Sequence, residues 1–364
     1  MRRLNTLDKL IRKHIQDHGP LPLAEYMSLC LVHPTLGYYM RGASVGKDFI
    51  TAPEISQMFG ELLGIWTLSV WQSMGEPDTL NLIELGPGRG TMMADLIRST
   101  ARWDHFQKAV RIHFVEASPS LRRMQEGMIH PKTALWHDDP ESLPEGPCIV
   151  LANEFFDALP IRQLVKMEDG WAERKIDWDE DKETFFFTAD TIPSTFEALV
   201  PLEFKEAPEG SIFEFSPLSL SLVHFIGDHI AKNKGAALII DYGKAHTTLG
   251  STFQGLRLHQ KVDVLEECGE TDLTAFVDFD LFSKTLRPLP CDVYGPLPQG
   301  TFLQNMGIEF RAKTLERKGV REEIERSVER LTSPDEMGEL FKVFVITSLG
   351  IPVPPGFDEL NHGK

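Results

Sequence analysis

The chain has 364 residues and is 42% hydrophobic, enough apolar material for a core larger than one typical domain builds. Asp and Glu number 54 against 37 Lys and Arg, a net charge of −17 that disfavours DNA or RNA as a primary partner and favours basic ones. Cys30, Cys148, Cys268 and Cys291 stand far apart with no C-x-x-C pair, which fits a reducing compartment and argues against a structural zinc site.

The N-terminus, MRRLNTLDKLIRKHIQDHG, lacks the apolar core of a secretory signal, and Asp8 and Asp17 weaken a transit-peptide reading. It predicts an amphipathic helix. Residues 1–78 are mostly helical in pattern, broken at Pro20, Pro22 and Pro34, with an aromatic loop at His33 to Tyr39 (HPTLGYY). Thr51-Ala52-Pro53-Glu54 reads as a helix entry with Pro53 near the first turn. This extension is expected to cap a ligand crevice formed further along. The most apolar stretch, Phe59 to Trp71, carries Glu61 and falls short of a membrane span. The expectation is a cytoplasmic protein with no membrane insertion.

Leu80 to Leu85 (LNLIEL) reads as a buried strand, followed by Gly86, Gly88 and Gly90 and a helix-compatible segment from Thr91. A dinucleotide fingerprint needs G-x-G-x-x-G, whereas these glycines form G-x-G-x-G led by Glu84. That tighter, acid-led turn suits S-adenosylmethionine, whose adenosine and amino-acid ends pass close to backbone and whose sulfonium is positive. A purely structural strand-to-helix turn would use the same glycines, so the next strand decides. Arg111 to Val115 reads as that strand and ends at Glu116, a carboxylate able to accept from both ribose hydroxyls. Ala134 to Trp136 is a short third strand ending at His137, Asp138 and Asp139, where Asp138 either meets the adenine amino group or is an ordinary turn acid before Pro140. Cys148 to Ala152 is a fourth strand, ending at Asn153.

Ile161 to Ala189 alternates apolar runs with charged turns, so residues 161–235 predict a β-rich insertion for substrate or partner. The core, residues 79–160 and 236–350, resumes with a fifth strand at Ala236 to Ile240, a sixth near Leu289 to Val293 and a last one at Phe341 to Ser348. Lys313 to Arg330 reads as a solvated helical face. The alternation predicts an α/β fold, a Rossmann-like doubly wound sheet of about seven strands with its crevice at the carboxyl ends.

The chemistry points to Ala152 to Pro160 (ANEFFDALP), at the fourth strand's end. Asn153, Glu154 and Asp157 can orient a nucleophile there; alternatively Asn153 caps a helix with Asp157 in its first turn. Methyl transfer is an in-line displacement whose rate comes largely from alignment and desolvation, with no metal required. Were the acceptor an arginine, two cations would meet. Carboxylates such as Glu154 and Asp157 would offset that repulsion and hold the planar guanidinium.

Taken together, HPTLGYY, DFITAPEISQMFGE, LIELGPGRGTMMADL, ANEFFDALP, LIIDYG and DLTAFVDF resemble the MidA family, methyltransferase-like proteins whose mitochondrial members assist assembly of respiratory complex I. The resemblance runs from about Leu10 to Leu349. It implies a class I methyltransferase fold and S-adenosylmethionine-dependent methylation of a protein arginine, with symmetric dimethylation of a hydrophilic complex I subunit in the mitochondrial relatives. By the same resemblance Gly86, Gly88 and Gly90 match the cofactor glycines, Glu116 the ribose acid, and Glu54 and Gln57 lie near cofactor or substrate. Two departures stand out: Lys47 where the family has glycine, and Phe276 where it has histidine, so no catalytic histidine is carried over. His259, upstream in that region, has no assigned role. The rival readings are a non-catalytic cofactor-binding assembly factor and a small-molecule methyltransferase. The expected assembly is a monomer or homodimer.

Overall fold

The computed structural model describes residues 4–41, 50–317 and 320–357; Lys47 lies outside them. The chain divides into two compact units. One comprises Ile50–Phe156, Leu222–Ala245 and the residues from Phe279 on; the other takes the first 49 residues, Asp157–Ser221 and His246–Asp278.

The first unit is built on seven strands: β1 (Leu80–Leu85), β2 (Val110–Val115), β3 (Ala134–His137), β4 (Cys148–Asn153), β5 (Gly235–Lys244), β6 (Cys291–Pro298) and β7 (Phe341–Ser348). They lie in the order β3-β2-β1-β4-β5-β7-β6. β1 to β5 run parallel, whereas β7 is antiparallel to both its neighbours. The order reverses between β1 and β4, so the crevice of a doubly wound sheet opens at the carboxyl ends of those two strands. Every residue of β1 and of β7 is buried, as expected where both faces of a sheet are covered.

Four helices frame the crevice: α1 (Ala52–Ile55), α2 (Gln57–Ser73), α3 (Thr91–Ser99) and α4 (Pro119–Ile129). Pro53 stands in the first turn of α1, where its missing N–H costs nothing. Gly60 and Gly64 of α2 face α3 so closely that an added Cβ would meet Asp95 Cβ at 2.7 Å and the Leu96 carbonyl at 2.9 Å respectively. Glu61, between them, is buried and receives the Arg311 guanidinium through two bonds, at 2.7 and 2.9 Å.

The second unit joins the N-terminal helices to the β-rich insertion. Strands Leu21–Pro22, Arg162–Met167, Gly170–Asp179, Thr184–Ala189 and Ile212–Phe215 form one sheet, and Gln254–Arg257, Gln260–Val262 and Asp272–Thr274 a second. The helix Thr6–His18, closed at its start by a capping box between Asn5 and Asp8, buries Leu7, Ile11 and Ile15 in one cluster with Ile176, Trp178, Leu265 and Leu273. This division differs from the sequence boundaries at residues 78, 160 and 235. The helical extension is split near Ile50, and residues 246–278 leave the sheet unit because their apolar side chains complete the N-terminal helices' core. Phe276 lies there and donates its N–H to Thr252 Oγ1 at 2.8 Å. His259 forms the tip of a hairpin, at φ +62°.

Candidate active site

The glycine turn leaves β1 through three left-handed residues, Gly86, Gly88 and Gly90, at φ +59°, +53° and +84°. Packing adds a constraint at two of them, severe at Gly86 and slight at Gly90. A Cβ on Gly86 would lie 2.6 Å from the Phe155 ring, and one on Gly90 would lie 3.3 Å from Gln125 Cα. Gly88 differs: nothing among the described residues stands within 4 Å of its missing Cβ, so this part of the turn is open to close approach from outside. Gly90 also serves as N-cap of α3.

Beneath the turn, Glu84 is buried, and its Oε2 meets no hydrogen-bond partner among the described residues. Burial pushes this carboxyl well above the usual range. On neighbouring β4, Asn153 Oδ1 is a second buried oxygen without a partner among the described residues.

At the end of β2, Glu116 accepts from the Ser118 N–H at 2.8 Å and from Gln125 Nε2 at 3.1 Å. Burial raises its pKa; these bonds and the nearby Arg122 pull it partly back. Arg122 Nε donates to the Glu116 carbonyl at 2.8 Å, and the same guanidinium pairs with Asp138, whose side chain is otherwise open to solvent. Gln125, fully buried, also reaches the Gly88 carbonyl at 2.8 Å and accepts from Trp136 Nε1 at 2.8 Å.

The segment after β4 is not a helix. No residue from 154 to 160 is helical, so the capping alternative for Asn153 does not hold. Glu154 takes φ +52°, a left-handed conformation that costs a non-glycine residue on the order of 1–3 kcal/mol. Its surroundings hold it there. The Glu154 N–H donates to the Ile240 carbonyl at 2.9 Å, and buried Asp241 accepts from the Phe155 and Phe156 N–H groups at 3.1 and 2.9 Å. The Glu154 carboxylate in turn accepts at Oε1 from the Ala52 N–H at 2.8 Å and from Asn153 Nδ2 at 3.0 Å. From α1, Glu54 accepts from the Thr91 hydroxyl at 2.6 Å and lies 3.7 Å from Arg89, which places it at the glycine turn.

Two further sequence candidates are Gln57 and Asp157. Gln57, the first residue of α2, is exposed and accepts from Arg98 in the last turn of α3 at 3.4 Å. Asp157 belongs to the second unit, where its carbonyl accepts from the Ala275 N–H at 3.0 Å. Sequence reasoning missed Arg122, Gln125 and Asp241. Asp241 was visible as a lone acid closing an apolar run; Arg122 and Gln125 carried no signal beyond their three-residue spacing on one helix.

Residues 62–297 match a family described as "Putative S-adenosyl-L-methionine-dependent methyltransferase". Among curated relatives, the Xenopus laevis protein arginine methyltransferase NDUFAF7, mitochondrial, is 37% identical, covering 93% of this chain and 84% of the relative. The Drosophila melanogaster homologue is also 37% identical, over 93% and 84%, and the Homo sapiens protein 35% identical, over 91% and 81%. A superfamily member from Burkholderia thailandensis, crystallised with S-adenosyl-homocysteine, superposes with a TM-score of 0.84 at 27% identity, over 98% of this chain and 95% of that one. The sheet is therefore of the class I methyltransferase kind. The expected cytoplasmic location is overturned by these relatives, each named as mitochondrial; composition and N-terminal pattern were insufficient grounds for it.

The residues present fit that cofactor. An open glycine, a carboxylate at the end of β2 and two buried oxygens at the ends of β1 and β4 suit a ligand with a ribose and a cationic amino-acid end. Fold, turn chemistry and similarity over most of the chain agree, and the chain belongs to the S-adenosyl-L-methionine-dependent methyltransferase family.

Proposed function

We propose that this protein methylates an arginine side chain of a protein partner, and that Glu154 orients the guanidinium. The observation that carries this reading is the left-handed Glu154, held at the end of β4 by bonds from Ala52 and Asn153. Strain of this kind persists where surroundings over-determine it, and a carboxylate is what a cationic acceptor needs. S-adenosylmethionine supplies an electrophilic methyl group on a positively charged sulfur. A guanidinium about 4 Å from that charge is repelled by about 4 kcal/mol at an effective dielectric near 20, and a fixed carboxylate at similar range offsets a comparable amount.

In this reading Glu84, Gly86, Gly88 and Gly90 receive the amino-acid end, Glu116 the ribose and Asp138 the adenine edge. Glu54 ties α1 to Thr91 and Arg89, keeping the Ala52 N–H on Glu154. Asn153 presents Nδ2 to Glu154 and leaves Oδ1 for the bound molecules. The partner is basic in its docking region, to suit a net charge of −17. The names of the relatives support arginine as the acceptor, and the motif resemblance supports symmetric dimethylation of a hydrophilic complex I subunit.

The test is incubation with methyl-labelled S-adenosylmethionine and lysate from cells lacking the protein, followed by peptide mapping. Label on a specific arginine, absent with Glu154→Ala, is the expected result. Binding of S-adenosylhomocysteine without transfer to any protein would replace the reading with a cofactor-binding assembly factor, and label on a small molecule would replace the substrate class.

A further inference from the structure

Helix α4 aims two side chains, Arg122 and Gln125, at the carboxyl ends of adjacent strands. Gln125 is the more constrained. Trp136 Nε1 can only donate, so the carboxamide oxygen must face it; the Gly88 carbonyl and the Glu116 carboxylate can only accept, so the nitrogen must face them. Both amide hydrogens are thereby used and one orientation survives. The absence of a side chain at Gly90 leaves room for this helix, since an added Cβ would lie 3.3 Å from Gln125 Cα.

We propose that Gln125 is a positioning residue for cofactor selection: it fixes the Glu116 carboxylate in a ribose-accepting orientation and ties that carboxylate to the Gly88 turn. Recognition of the ribose hydroxyls and the shape of the glycine turn then depend on one side chain. The inference rests on the ribose role of Glu116 proposed above. It predicts a specific failure. Without the Gln125 donor, Glu116 keeps the Ser118 N–H on Oε1 but loses the bond that fixes Oε2, and a ligand with a full ribose loses more affinity than one lacking a hydroxyl.

Calorimetric titration with S-adenosylhomocysteine and with its 2′-deoxyribose analogue tests this, on the wild type and on Gln125→Met, Trp136→Phe and Glu116→Gln. The wild type should prefer the ribose ligand by about tenfold or more, the worth of a hydrogen bond to a charged group. Gln125→Met should erase most of that preference. Trp136→Phe removes the donor that locks the carboxamide, with part of the ring packed against Phe114, and should reduce the preference partly; it decides the matter alone if Gln125→Met does not fold. If Gln125→Met and Trp136→Phe weaken both ligands equally, or neither, while Glu116→Gln abolishes the preference, Gln125 is merely structural and the inference falls. If Glu116→Gln leaves the preference intact, the ribose assignment fails first and takes the inference with it.

Discussion

Gly86→Ala and Gly88→Ala should part company, although both replace a glycine with positive φ in the same turn. At either site alanine pays a left-handed cost of about 1–2 kcal/mol. At Gly86 the new Cβ would also sit 2.6 Å from Phe155 Cδ2, where carbon atoms prefer about 3.5–4.0 Å, so the ring must retreat by about 1 Å. Its retreat is opposed on two sides. Asp241 holds the Phe155 N–H, and the ring packs edge-on against Phe156, which packs edge-on against Phe282 at centroid distances of 5.4 and 5.1 Å. Overpacking of this kind adds about 1–3 kcal/mol, giving about 2–5 kcal/mol in all. Gly88→Ala meets no described atom and should cost only the first increment. Its methyl instead enters the space where a ligand would approach, so it should weaken S-adenosylhomocysteine binding by more than its effect on stability. Urea denaturation and calorimetric titration of the two variants measure both quantities. Equal destabilisation, or undiminished ligand affinity for Gly88→Ala, would refute the packing argument.

Three further outcomes follow from particular contacts. Asp241→Asn exchanges a carboxylate that serves two consecutive N–H groups for a neutral amide, at a cost of about 2–3 kcal/mol; kcat for methyl transfer should fall more than cofactor affinity, because the turn it clamps carries Glu154. His113 is buried, with its pKa lowered to about 4 by desolvation and then by His137, whose Nε2 lies 3.0 Å from its Nδ1. Below pH about 6.5 the unfolded chain takes up a proton on this ring that the native state refuses, so this group's contribution to stability is constant above that pH and falls by about 3 kcal/mol towards pH 4. His113→Leu should flatten that limb in denaturation curves, and an unchanged slope would assign it to other groups. Gly64→Ala brings a Cβ against Ser99 Oγ and to within 2.9 Å of the Leu96 carbonyl; the hydroxyl can rotate but the backbone cannot. A loss of about 1–3 kcal/mol in thermal unfolding is expected, and a neutral substitution would contradict the close approach of α2 and α3.

The sheet was largely legible because its strands are buried on both faces and read as unbroken apolar runs. Leu80–Leu85 and Phe341–Ser348 match the sequence expectation end to end. β5 runs on to Lys244, beyond the expected Ile240, because Asp241 and Tyr242 pair with Lys342 and Phe341 on antiparallel β7. β6 runs on to Pro298, beyond the expected Val293, through Gly295 and Pro296 at a bulge, where a missing N–H is tolerated. The grouping of the N-terminal helix with residues 246–278 was out of reach. Asn5 donates to the Cys268 carbonyl across 263 positions, and no local pattern announces such a contact.

The glycine turn and Glu116 were readable from strand, turn and helix in succession, since both sit where two local signals meet. Gln125 was not, because its partner Gly88 lies 37 positions away, and Asp241 showed only as an acid closing an apolar run, since the Phe155 N–H it holds lies 86 positions back. Glu154 was singled out by its place after an apolar strand, but its left-handed backbone was invisible: glutamate carries no preference for that region.

The central claim is that Glu154 acts on the acceptor and leaves cofactor binding to other residues. Glu154→Gln, compared with the wild type for both S-adenosylhomocysteine affinity and the rate of methyl transfer to the mapped acceptor, tests it most directly. The account predicts an affinity within about threefold of wild type and a kcat lower by about a hundredfold or more, the scale of one preorganised electrostatic group. A kcat near that of the wild type, or a loss that appears equally in cofactor affinity, would contradict it.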